Sequence, residues 1–207
     1  KDQTDYRTVS SLAITLGSLG DKLDEMVAKT AAEQILATMK EPTESYVLGS
    51  LGSALGSLGD KLDETDARMA AERILVAMKG GKGSYELDDL EEALGSLGEP
   101  VVAERIIAAM QEPTGYFALK HLERALSSLT EKLDATDAKA VTERIVAVMK
   151  ECSDYDVSLS LGRTFGSLAV KLDATDARMA AEQILLAMHE TSDSAVLSSL
   201  EKVFRAL

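Results

Sequence analysis

The stretch "LGSLGSALGSLGDKL", Leu48–Leu62, mixes leucine with glycine and serine. By composition alone it reads as a flexible linker. Its leucines argue otherwise, because they stand at 48, 51, 55, 58 and 62. Steps of three and four are the helical period. Gly49, Gly52, Gly56 and Gly59 keep the same rhythm one residue later. At about 100° per residue, the leucines share one face and the glycines occupy the flank beside it. Each helical glycine costs about 0.8–1 kcal/mol relative to alanine. The stretch therefore predicts a helix whose glycine flank is pressed against neighbouring helices, with close packing offsetting that cost.

The rest of the chain supports a helical protein. It has 207 residues, enough for a sizeable core, with only three prolines. Aromatic residues make up 4% and tryptophan is absent, so the core must be aliphatic. A net charge of −13 opposes phosphate backbones and anionic membranes, which excludes nucleic acid as the expected ligand. No apolar run approaches the ~18 residues of a membrane span, so no membrane insertion is expected. The single cysteine, Cys152, forbids an intramolecular disulfide and fits a reducing, cytoplasmic setting. The chain opens on Lys1 rather than methionine, which points to a processed chain or a segment of a larger one.

Outward from the opening stretch, the sequence repeats. Leu16, Leu55, Leu94, Leu126, Phe165 and Phe204 occupy one position, at spacings of 39, 39, 32, 39 and 39. Met39, Met78, Met110, Met149 and Met188 give 39, 32, 39 and 39. "KLDATDARMAAEQIL" at 171–185 nearly copies "KLDETDARMAAERIL" at 61–75. A shared period of this length marks a repeat architecture. The units are 5–44, 45–83, 84–114, 115–153 and 154–192, with a half unit at 193–207.

Each unit is read as two helices. In the second, the first helix spans about 45–62 and the second about 64–79, with Asp63 as N-cap and Asp66 placing negative charge in the first turn. Turn residues follow each second helix: Pro42-Thr43, Gly80–Gly83, Pro113-Thr114, Ser153-Asp154 and Thr191-Ser192. The third unit lacks seven residues between its helices, about two helical turns, one from each arm. Pro100 then falls in the first turn of the shortened second helix. Along the second helix, Ala67, Ala70, Ala71, Ile74 and Met78 form one apolar stripe, and Met69 with Val76 form another nearly opposite. Two stripes call for neighbours on both sides, so the units are expected to stack.

With these units in view, "LGSALGSLGDKLDETDARMAAERILVAMK" and its copies resemble the HEAT/armadillo class, in particular bacterial HEAT-like arrays of leucine- and alanine-rich hairpins. The resemblance implies an all-α fold: a right-handed α-α superhelix, or solenoid, of five helical hairpins plus a terminal helix, forming one domain over 1–207. It also implies a scaffold or docking surface, often part of a larger multidomain protein. The final "KVFRAL" is apolar where a polar cap would stand, which points to a continuing array, end-to-end self-association or a neighbouring domain.

The expected contact surface is a charged stripe on the second helices, lining a concave face. Its residues are Arg68, Glu72 and Arg73; Glu104 and Arg105; Lys139, Glu143 and Arg144; and Arg178 with Glu182. Their spacing also fits (i, i+4) pairs on a solvated face. Such a field of alternating charge suits a protein or peptide partner. No residue is assigned to catalysis, a cofactor or a metal. His121 and His189 lie in different units and read as surface side chains. "DATD" lacks the glycine turn and distal glutamate of a calcium loop. Tyr46, Tyr85, Tyr116 and Tyr155, with Phe117, read as covers for the turns, or alternatively as a row of contact points. The leading expectation is a non-enzymatic interaction scaffold. The alternatives are an enzymatic, regulatory or small-ligand domain using the groove, and a purely structural spacer.

Overall fold

A computed structural model describes residues 6–19, 22–39, 45–80, 84–112, 116–152 and 154–205, with side chains 6–10, 45–46, 60, 80, 84–86 and 195 outside the description. The tips at Pro42-Thr43, Gly81–Gly83, Pro113-Thr114 and Ser153, and the side chains of Tyr46 and Tyr85, lie outside the described residues. Eleven helices are present and no strand occurs among the described residues. They are α1 (Tyr6–Leu19), α2 (Glu25–Thr38), α3 (Ser45–Ser57), α4 (Glu64–Gly80), α5 (Ser84–Ser96), α6 (Pro100–Met110), α7 (Tyr116–Lys132), α8 (Ala135–Glu151), α9 (Tyr155–Ala169), α10 (Ala174–Glu190) and α11 (Ser194–Phe204).

Every odd-numbered helix packs on the odd-numbered helix that follows it, from α1 through α11, and the even-numbered helices do the same from α2 through α10. The two rows meet through pairs such as α4–α5, α6–α7 and α8–α9. The core runs between the rows: Leu55, Leu58, Leu94, Leu97, Leu126, Leu129 and Phe165 are fully buried.

The glycine flank of the opening stretch faces the next odd helix. A Cβ on Gly56 would lie 3.1 Å from the Ala93 Cα, and one on Gly59 would lie 2.5 Å from the Ser96 carbonyl oxygen and 3.0 Å from the Leu97 Cα. Side chains are excluded there because backbone meets backbone. The first helix of the second unit ends sooner than its leucine pattern predicts. α3 stops at Ser57, and Gly59–Lys61 form one 3-10 turn. Its tighter bonds, Lys61 N–H to the Leu58 carbonyl and Leu62 N–H to the Gly59 carbonyl, swing Leu62 into extended backbone and bring Asp63 to the head of α4.

The expected Asp63 cap forms, and aspartates at the same repeat position cap other second helices. Asp24 accepts from the Val27 N–H, Asp63 from Asp66, Asp134 from Asp137, and Asp173 from both Thr175 and Asp176. The short third unit loses the 3-10 turn from its first arm and six residues, nearly two helical turns, from its second. α5 has the 13 residues of α3 but no following 3-10 turn, and α6 has 11 residues against 17 in α4. Gly98 takes φ 73°, a left-handed conformation that a side chain would strain, and so turns the chain directly into Glu99 and Pro100.

Two expectations fail. Met69 and Val76 are 40% and 65% exposed, so the second apolar stripe of α4 is not covered. The even helices bury their first stripe against the odd row and leave the opposite side open. Tyr116, Phe117 and Tyr155 do not cover turns either. All three are exposed, with Lys120 over the Tyr116 ring and Lys202 over the Tyr155 ring.

Candidate functional site

The charged residues of the even helices mostly pair between successive units rather than along one helix. Lys29 on α2 reaches Asp63 at 2.7 Å and Asp66 at 3.2 Å, at the head of α4. Lys139 on α8 reaches Asp176 at 2.6 Å, in the first turn of α10. Glu72 on α4 pairs with Arg105 on α6 at 3.1 Å. Arg178 and Glu182 make the expected (i, i+4) pair, at 3.5 Å. Arg68 occupies the position of Lys29 and Lys139, but α6 starts at Pro100 with no aspartate cap to meet it. The deletion in the third unit removed that acid.

These pairs set the local charge states. Lys29 is pushed up to about 12, first by its hydrogen bond to Asp63 and then by Asp66. Asp63 is held below the usual range by Lys29 and by the Asp66 N–H. Lys139 is raised by Asp176. At the short hairpin the direction reverses: burial raises Glu99, reinforced by Asp137 and Glu64.

The expected contact residues do not converge on one site. They spread along the even row, and only Glu72 and Arg73, and Lys139 and Glu143, line two clefts. The first, about 500 Å³, lies between α2 and α4 and is lined by Glu33, Leu36, Ala37, Met69, Glu72, Arg73 and Val76. Exposed apolar Met69 and Val76 thus share a groove with charges of both signs. The second lies between α8 and α10, where Lys139, Glu143 and Asp176 stand with Val146, Met179 and Gln183. Glu104 and Arg144 are exposed and line neither cleft.

One cluster escaped the sequence reading. His121 is buried, not a surface side chain, and its Nδ1 lies 2.6 Å from Glu91 Oε2 and 3.6 Å from Asp88 Oδ1. α5 supplies both carboxylates one turn apart, and α7 carries the imidazole across the odd row. The same pair of repeat positions meets again in the next rung. Glu91 and Glu123 occupy one repeat position, as do His121 and Ser160, and Glu123 accepts from Ser160 Oγ at 2.8 Å.

No protein-family model matches the chain, and no curated protein matches it. One solved structure similar to it is the crystal structure of an engineered protein, 14% identical, covering 99% of this chain and 94% of that one with a TM-score of 0.48. A likeness this loose bears neither on fold family nor on function.

Proposed function

We propose that the chain is a non-enzymatic protein-interaction scaffold, an α-solenoid of the HEAT/armadillo kind, that holds a protein or peptide along its even-numbered row. The observation that carries this reading is the α2–α4 groove, in which Met69 and Val76 stay exposed inside a charged rim. An apolar centre with a polar rim is how protein interfaces are built. Methionine adapts to varied partner side chains. Glu33, Glu72 and Arg73 offer both signs of charge, which suits an amphipathic segment with an apolar stripe flanked by Lys and Glu. The net charge of −13 disfavours nucleic acid in the same place.

The packing favours a different curvature from the concave even row expected above. Backbones approach closely in the odd row, at Gly56 and Gly59, while the even row keeps an open cleft between α2 and α4. Tighter spacing on the odd side supports a stack that bends toward that side, with the docking groove on its outer face.

A photocrosslinkable residue at Val76, compared with one at Ser167 on α9, tests the groove. Specific adducts should form from Val76, disappear with Met69→Glu or Arg73→Glu, and weaken with salt because the rim is charged. Capture of every specific partner unchanged by both substitutions rejects this surface.

A further inference from the structure

We propose that Asp88, Glu91 and His121 form a divalent transition-metal site, suited to zinc, that ties α5 to α7. The ligand atoms of the three residues all lie within 4.8 Å of one another. Tetrahedral zinc with bonds of about 2.0–2.1 Å places its ligand atoms about 3.3 Å apart. The observed His121–Glu91 and His121–Asp88 separations, 2.6 and 3.6 Å, bracket that edge. Separations within the cluster reach no more than 4.8 Å, and they close to that edge as the carboxylates turn onto the ion. Imidazole nitrogen with two carboxylate oxygens suits Zn²⁺, Co²⁺ or Ni²⁺, whereas calcium and magnesium favour all-oxygen sets. Three protein ligands leave a fourth position for water.

Burial and access fit the same use. The His121 side chain is 7% exposed, which fixes its ring, while Asp88 is 53% exposed and gives the ion a path from solvent. The neighbouring rung of the odd row provides an internal comparison. There Glu123 meets Ser160 and Arg163, and Lys120 stands where Asp88 does, so that rung has no ligand set. A serine therefore satisfies this rung of the fold. The histidine and the second carboxylate at the α5–α7 rung exceed what packing requires.

Arg124 opposes the ion, lying 3.6 Å from Glu91 and 4.0 Å from Asp88. Its side chain is 61% exposed and is able to swing into solvent as the metal enters. Removing it should tighten binding.

The test is titration of the full chain, freed of any affinity tag and carrying Cys152→Ser, with Co²⁺ followed by visible ligand-field absorption and with Zn²⁺ followed by calorimetry. One equivalent should bind with saturable, micromolar affinity and raise the melting temperature. Asp88→Asn, at an exposed position where an unchanged apo melting temperature is expected, and His121→Gln should each weaken binding by more than the roughly 10–100-fold lost with an outer partner. Arg124→Gln should strengthen it, and His189→Gln should leave it unchanged. Absence of saturable binding, or binding indifferent to both Asp88→Asn and His121→Gln, overturns the assignment.

Discussion

A methyl group at Gly59 has nowhere to go. It would meet the Ser96 carbonyl oxygen at 2.5 Å and the Leu97 Cα at 3.0 Å, both backbone atoms. Helix propensity alone favours alanine over glycine by about 1 kcal/mol. Overpacking costs about 1–3 kcal/mol and should win here, because no side-chain rotation relieves the clash. Gly59→Ala is therefore predicted to destabilise the protein by about 1–3 kcal/mol in urea unfolding. Gly162→Ala is the comparison: its Cβ would meet only Val203 Cγ2 at 3.1 Å and Met149 Cε at 4.0 Å, both side-chain termini. It should cost much less or stabilise slightly. Equal losses at the two sites would remove the close-approach explanation for the glycines.

The short α5–α6 hairpin combines an unusual turn with an electrostatic cost. Glu99 caps α6 without a side-chain hydrogen bond, so Gln preserves the local geometry. The amino end of α6 favours a negative charge, but burial, Asp137 and Glu64 oppose it and raise the Glu99 carboxyl above 4.5. A raised carboxyl means that ionised Glu99 lowers stability above its folded pKa, and that the loss is relieved as pH falls toward 4.5. Glu99→Gln should thus stabilise the protein near neutral pH by about 0.2–0.5 kcal/mol, the size of a screened like-charge contact. Chemical denaturation well below pH 4.5, where the carboxyl is protonated in both the folded and the unfolded chain, should show no charge-dependent difference from the parent chain. A gain that persists there would mean that the charge is not its source. Much of this element was legible in sequence: the seven-residue gap, Pro100 and the aspartate caps all occupy positions whose local chemistry is unambiguous. The exposure of Met69 and Val76 was not legible, because periodicity marks a stripe as apolar without showing whether a neighbour covers it. His121 was missed for a related reason. Its partners, Asp88 and Glu91, lie on a different helix, and only the register between α5 and α7 brings them together.

Across the whole molecule, the repeated contact is each helix on the one two places ahead. The leucine faces build the core between two rows, and the glycine flanks draw the odd row tight. The even row is left with an open cleft between α2 and α4, and the charge pairs Lys29–Asp63, Glu72–Arg105 and Lys139–Asp176 stitch its successive members. The most direct measurement compares two spin-label separations by pulsed electron resonance, in a Cys152→Ser background. One pair sits on the odd row, at Ser57 and Ser167; the other sits on the even row, at Arg68 and Arg178. Each pair spans three steps of its row at the same repeat position. With helix spacings of about 8–10 Å, both backbone separations should fall near or above about 24–30 Å, the even-row pair being the longer. A separation near about 10 Å, the distance of one step, or an odd-row pair longer than the even-row pair, would contradict the account.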